Sequence, residues 1–221
     1  MRRAIWPLLF GLWGAGILIW LGTWQMQRLE WKEAVLAEID ARIGGTPIAV
    51  PAQPDPVADR FLPVTATGTL EPGVLVLASV KLIGAGHRVV DVLDMGDRRV
   101  LLDRGFLKLQ DQPGPRPDQI TVTGNLHWPD EVDGYTPDPD LANNLWFARD
   151  VERLAAHLGT DPVLIVARTI TPADPVLAPF PVNSAGIPND HWEYAVTWYS
   201  LAVVWLGMTA LLVWRIRRGT D

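Results

Sequence analysis

The sequence predicts an integral membrane protein in which two antiparallel transmembrane helices flank a β-rich extracytoplasmic domain (α+β, antiparallel and barrel-like). Three observations support this fold class. The segments 4–27 and 194–214 contain no charged residue, and about 20 apolar residues are enough to span a bilayer. The long segment between them consists of short β-type runs that are separated by turn residues.

The composition excludes several classes of protein. The 221 residues include no cysteine, which excludes disulfides, thiolate zinc sites and thiol catalysis. The formal charge is −6, whereas a nucleic-acid partner would need a basic face. The sequence has no nucleophile elbow, Walker loop or dinucleotide fingerprint. We therefore expect a protein that is not an enzyme and has no nucleic-acid partner.

The charges that flank the two spans predict their orientation. Two arginines precede the first span and three follow the second, whereas the segment 28–193 holds 14 basic and 24 acidic residues. The positive-inside rule then places both termini in the cytoplasm. The expected location is the bacterial inner (cytoplasmic) membrane with a periplasmic central domain, or the mitochondrial inner membrane in a eukaryote.

The chain is divided by its hydropathy and its turn residues. Helical spacing of apolar residues continues the first helix to Ile43, where Gly44 and Gly45 end it. The predicted segments are transmembrane helix 1 (4–27), a helical stalk and Pro-rich connector (28–59), the β-rich domain (60–171), a Pro-rich return loop (172–190), transmembrane helix 2 (191–214) and a basic cytoplasmic tail (215–221).

Six β-type runs and one short helix are expected within the domain. The predicted strands are Phe61–Leu70, Val74–Leu82, His87–Met95, Arg98–Leu109, Gln119–Trp128 and Val163–Thr171. A tight hairpin is expected at Gly96 and Asp97. The helix is expected at Asp150–Leu158, closed by Gly159.

Tryptophan is unusually frequent, with 11 residues in the chain. Five of them fall within an arc of about 40° on one face of the first helix, namely Trp6, Trp13, Trp20, Trp24 and Trp31. This tryptophan row is either an interfacial belt or a surface for another helix or a flat ligand. Gly11, Gly14 and Gly16 are expected to allow a close approach of a second helix.

The domain offers few groups that could carry chemistry. His87, His127 and His157 are isolated, without the spacing of a metal site, and we expect them to be ordinary structural histidines. Four aspartates crowd a loop rich in Pro and Gly, where a solvated acidic surface is expected rather than a calcium site. These are Asp130, Asp133, Asp138 and Asp140.

The fourth histidine, His191, lies three residues before the second uncharged segment. Because the spans are antiparallel, residues whose numbers sum to about 218 are expected at the same depth. Trp24 then lies near Tyr194, and Arg28 lies near His191. At seven-residue steps, Trp198 and Trp205 continue the face that begins at His191.

A histidine above an apolar aromatic wall suits a haem, which has polar propionates and an apolar macrocycle. The imidazole would be an axial ligand of the iron, and Arg28 could pair with a propionate. The alternative is that His191 only caps its helix or contacts lipid headgroups. From the spacing alone, that alternative is the better supported.

Four stretches of the sequence resemble the Surfeit locus protein 1 family, which are assembly factors of haem–copper cytochrome oxidases. The stretches are LGTWQMQR at 21–28, GHRVV at 86–90 with VLLDRGF at 100–106, NLWFARD at 144–150, and PNDH at 188–191 with TWY at 197–199. Together with the topology, this resemblance covers nearly the whole chain. The family usually has Asn where this chain has Asp103 and Asp190.

The resemblance implies a role in haem a delivery or insertion into the catalytic subunit of the oxidase. It implies haem a as the cofactor, with His191 as the axial ligand of the haem iron. The candidate binding residues are His191, Tyr194, Trp198, Trp24 and Arg28. The expected partners are cytochrome oxidase subunit I, haem a synthase and the lipid bilayer. A membrane scaffold that stabilises an oxidase assembly intermediate without binding haem, and an envelope sensor, remain as alternatives.

Overall fold

The computed structural model describes residues 2–80, 83–184 and 187–218. The chain divides into two compact units. We call Met1–Glu38 with Ser184–Asp221 the helix pair, and Ile39–Asn183 the domain. The predicted end of a strand at Leu82 and the last three residues of the predicted tail lie outside the described residues.

Two long helices begin and end the chain. Helix α1 runs from Arg2 to Ile43 and helix α3 from His191 to Arg218, and both are long and apolar enough to cross a membrane. Helix α1 ends where Gly44 donates its backbone N–H to Asp40 (2.9 Å), as expected from the glycines that follow Ile43. The prediction of two apolar helices that flank a sheet-rich domain is confirmed.

Glycines let the two helices of the pair come close together. The ring of Trp205 occupies the space where a Cβ on Gly14 would lie, and its indole Nε1 donates to the carbonyl of Gly11 at 2.9 Å. The expectation for Gly11 and Gly14 is therefore confirmed. The expectation for Gly16 is wrong, since a Cβ there would meet no atom within 4 Å. Gly22 packs against the ring of Tyr199 and is a close contact that the sequence analysis does not predict.

The described residues of the domain form seven strands and one helix. The strands are β1 (Ile48–Ala49), β2 (Pro63–Val80), β3 (Gly84–Asp94), β4 (Arg99–Lys108), β5 (Ile120–Leu126), β6 (Leu145–Trp146) and β7 (Leu164–Thr171), and helix α2 is Val151–Leu158. The helix predicted at Asp150–Leu158 begins at Val151, and Asp150 caps it by accepting from the N–H of Arg153. Gly159 closes it with a positive φ of 67°.

The strands form one sheet in the order β1-β2-β3-β4-β7-β5, and β5 also pairs with β2. The pairings that start at β2 therefore return to it. The sheet is mixed rather than antiparallel, because β7 lies parallel to β4, and β1 and β6 lie parallel to β2. Helix α2 lies in the connection that leads to β7. A connection of this length is needed because a hairpin joins only antiparallel strands, whereas β7 pairs with β4 in parallel.

Two of the predicted strands are one strand in the structure. The sequence predicts that one strand ends at Leu70 and the next begins at Val74. In the structure, strand β2 continues through Pro72 and Gly73. The pairing register with β3 shifts between Glu71 and Val74, which marks a bulge that accommodates a proline within a strand. The N-terminal part of β2 pairs with β5, and its C-terminal part pairs with β3 and β6.

Apolar side chains form two main clusters in the domain. The first contains residues from β2, β3, β4, β5 and β7, including Val64, Leu93 and Ile165. The second contains Val76, Trp146 and Leu154, so that helix α2 and strand β6 pack on one face of the sheet. Because successive side chains of a strand point to opposite faces, neighbours such as Leu101 and Leu102 enter different clusters.

Candidate functional site

The candidate site in the helix pair is built around His191, the first residue of α3. Its side chain is half-buried, and its Nδ1 lies 2.7 Å from Oε1 of Gln25 on α1. Gln25 is itself buried, with 9% of its surface exposed. The antiparallel register thus brings Gln25 to His191, where Arg28 had been expected.

Among the described residues, none of the other predicted site residues forms a hydrogen bond to the side chains of this pair. The guanidinium of Arg28 stacks on the ring of Trp31, 3.9 Å from its centre, so Arg28 interacts with its own helix. Trp24 and Tyr194 are exposed, and Trp198 is half-buried. Trp205 does not extend the predicted aromatic wall as an open surface, because its ring packs against α1 at Gly14.

The tryptophan row on α1 is exposed along its whole length. The exposed fraction of its five side chains ranges from 47% at Trp24 to 78% at Trp6. These rings are therefore available to lipid, to a partner helix or to a flat ligand.

The contact between Gln25 and His191 orients the imidazole. In the tautomer in which Nδ1 donates to the amide oxygen of Gln25, the lone pair of the ring lies on Nε2. A neutral imidazole binds a metal through such a lone pair. Metal-binding histidines in proteins are commonly oriented in this way by an acceptor at the other nitrogen.

In the domain, a buried ion network that sequence reasoning missed lies around Asp103. This carboxylate is fully buried, and its Oδ2 accepts from Arg88 (2.5 Å) and Arg149 (3.1 Å). Arg149 also binds both oxygens of Glu131. Hydrogen bonds to Asp103 and Glu131 raise the pKa of Arg149 even though burial opposes this.

A second buried network is centred on Asp91. Its carboxylate accepts from Arg104 at 2.7 Å, from Arg116 at 2.9 Å and from the backbone N–H of Gly73 at 3.1 Å. Arg104 also donates to Asp174 at 3.0 Å. Asp103 and Arg104 are neighbours on β4, so the two networks lie on opposite faces of that strand.

The acidic loop makes local hydrogen bonds of its own. Asp133 accepts from the N–H of Tyr135 and from the hydroxyl of Thr136. Asp140 accepts from the side chain and the backbone of Asn143. These hydrogen bonds lower the pKa of both carboxyls. The loop is thus stabilised by hydrogen bonds to its own side chains.

His127 gives the domain a pH dependence that can be measured. Burial is the main cause that lowers its pKa to about 4, and the charge of Arg149 adds to it. The unfolded chain, with a pKa near 6.5, therefore takes up a proton first as the pH falls. The stability due to the neutral ring is complete above pH 6.5 and is lost as the pH falls towards 4, by up to about 1.4 kcal/mol per pH unit.

We expect His127→Gln to remove this part of the pH dependence, because glutamine does not titrate. The measurement is the difference in unfolding free energy between parent and variant at about pH 7.5 and about pH 5. The unfolding free energy of the variant relative to that of the parent should be higher at about pH 5 than at about pH 7.5. An unchanged difference would contradict the assignment.

Comparison with known proteins gives consistent matches along the chain. The family model described as SURF1 family matches residues 13–203. "Surfeit locus protein 1" of Xenopus tropicalis is 29% identical over 211 residues, which is 82% of this chain and 67% of the relative. The rat protein of the same name is 27% identical over 208 residues, with the same coverage. A "SURF1-like protein" of Rickettsia felis is 27% identical over 201 residues, covering 85% of this chain and 88% of the relative.

Proposed function

Because the chain belongs to the SURF1 family of cytochrome oxidase assembly factors, we propose that it holds haem a for delivery to the catalytic subunit of the oxidase. In this proposal both helices cross the bacterial inner membrane, the termini are cytoplasmic and the domain is periplasmic. The proposed partners are cytochrome oxidase subunit I and haem a synthase. The excess of acidic residues between the spans and the arginines outside them support this orientation.

The observation that carries the proposal is the hydrogen bond between Gln25 and His191. It orients a half-buried imidazole at the start of an apolar helix, and in the tautomer that donates from Nδ1 to Gln25 the Nε2 lone pair could bind a metal. Haem a would supply an iron that accepts this nitrogen as an axial ligand. The residues present therefore fit the group in the one respect that the chemistry requires.

The surrounding side chains have separate roles in this proposal. Trp24, Tyr194 and Trp198 would offer aromatic surface to the macrocycle. Arg28, which is exposed and stacked on Trp31, would pair with a propionate. Such an ion pair would need only the side chain of Arg28 to turn away from Trp31, without a change in the helix.

The test is to purify the full chain in mild detergent from cells that make haem a, and to record its reduced-minus-oxidised spectrum. We expect a haem a signal that is abolished in His191→Ala. In Gln25→Leu the affinity for haem should fall by about 10–100-fold, which is the usual effect of losing the acceptor behind a metal-binding histidine. His157→Ala, in helix α2 of the domain, is the matched control and should keep the signal.

Other outcomes favour other functions. A folded parent without haem a would instead support a scaffold, for which the exposed tryptophan row is the specific supporting observation. Normal oxidase activity in cells that lack the protein would contradict both functions and favour a sensor.

A further inference from the structure

A cavity of about 400 Å³ opens on one face of the domain. One side is formed by the end of strand β2, from Val76 to Ser79. The remaining lining comprises Arg88, Glu131, Phe147, Arg149 and Phe180. Its volume lies within the range of ligand-binding pockets, and neither the helix pair nor the proposed haem function makes use of it.

Strand β2 offers an unpaired edge at this cavity. On that side its pairing with β6 ends at Val76, and no other strand of the described residues is paired there with the stretch from Leu77 to Val80. The N–H of Leu75 points to this side, since it donates to the carbonyl of Asn144 at 3.2 Å. Because peptide groups alternate along a strand, Ser79 also turns its N–H and C=O to the open edge.

Arg88 offers hydrogen-bond donors to the same cavity. Its Nη1 donates to Asp103 (2.5 Å) and to the carbonyl of Phe180 (3.2 Å), and its guanidinium stacks on the Phe180 ring at 3.9 Å. Its Nε and Nη2 bond to no described residue and are not shut off from solvent. Arg149 differs, because all three of its side-chain nitrogens bind Asp103 or Glu131.

The free atoms of Arg88 have the geometry of a carboxylate receptor. Nε–H and Nη2–H of a guanidinium form a fork that matches the two oxygens of a carboxylate. The negative charge of the nearby Glu131 is compensated, since Arg149 binds both of its oxygens. Ala78 lines the cavity with only a methyl group, which leaves room for a ligand between Val76 and Arg88.

We propose that this cavity binds the free carboxyl terminus of an extended polypeptide. The peptide adds as a strand along Leu77 and Ser79, which is a common mode of peptide recognition. Its terminal carboxylate binds Nε and Nη2 of Arg88. Its last side chain is apolar and lies against Phe147 and Phe180.

The experiment uses the full chain in detergent and two tetrapeptides, acetyl-Val-Thr-Val-Phe with a free carboxyl terminus and the same peptide as its amide. Titration calorimetry should give a dissociation constant at least about tenfold lower for the acid, because the amide cannot form the charged fork–fork pair. Equal binding of acid and amide, or no binding of the acid, would overturn the proposal.

Three variants locate the site without removing Arg88. Ala78→Phe fills the cavity from the same strand face, and Ser79→Pro removes the N–H at the open edge, so each should weaken binding of the acid about tenfold or more. Ala85→Phe places the same ring on the opposite face of β3 and should bind like the parent. Unfolding temperatures are measured for all three. If Ala78→Phe and Ser79→Pro fold and bind the acid peptide as tightly as the parent does, the peptide does not bind in this cavity.

Discussion

Replacement of Asp91 by alanine should lower the unfolding free energy of the domain by about 3–5 kcal/mol. The Asp91 carboxylate is 1% exposed and accepts from two arginines and the N–H of Gly73. Without it, Asp174 is the one acidic partner left for Arg104 among the described residues, and the side chain of Arg104 is 2% exposed. The buried guanidinium of Arg104 then lowers the stability of the folded domain, because water cannot reach it to replace the lost carboxylate.

Pulse proteolysis of the full chain in urea measures this change, since cleavage reports the unfolded fraction of the domain. The matched control is Asp138→Ala, which removes the partner of another arginine, Arg153, at 3.3 Å. Both of these side chains are exposed, so their pairing contributes about 0–1 kcal/mol. If the two variants unfolded at the same urea concentration, burial would not determine the strength of these ion pairs.

Gly14→Leu should separate the helices of the helix pair. Its side chain would occupy the position of the Trp205 ring, whose Nε1 bonds to the carbonyl of Gly11 at 2.9 Å. Overpacking of this kind costs about 1–3 kcal/mol, which lowers the population of paired helices by about 5–150-fold. Gly16→Leu is the control, because a Cβ at Gly16 meets no atom within 4 Å.

Cross-linking measures the association of the helices without interference, because the chain has no cysteine of its own. Cysteines at Ala15 and Ala202, both 3% exposed, lie at similar depths in the two antiparallel helices. We expect their oxidation in the membrane to be efficient in the parent and in Gly16→Leu, and weak in Gly14→Leu. Equal yields in all three chains would show that Gly14 does not determine the packing.

The long helices and α2 could be predicted because the residues that determine them are neighbours in the sequence. Twenty-four successive uncharged residues have one stable form in a bilayer, which is a helix. Asp150 and Gly159 mark the ends of α2 by the conformations that these residue types favour. The continuous strand β2 could not be predicted, because Pro72 and Gly73 are turn residues in isolation and only the pairing with β3 and β5 makes them a bulge.

The candidate site was predicted in part for a similar reason. Numbering along two antiparallel helices gives depth, and this placed Arg28 near His191. It does not give the rotation of each helix about its axis, which decides that Gln25 rather than Arg28 meets the imidazole. The networks around Asp91 and Asp103 depend on sheet pairings between distant residues, for which the sequence carries no local signal.

The position of β7 in the sheet sets the order of events while the chain is being made. The last strand to be synthesised lies between β4 and β5, so Leu164 must reach Leu101 before the ring of pairings can close. Long-range pairing of this kind is slow. A nascent chain that stops before Leu164 contains Gln25 but lacks both a closed sheet and His191. Strand β7 and His191 are both made after the other strands of the domain, so a chain truncated before Leu164 can neither close the sheet nor place an imidazole beside Gln25.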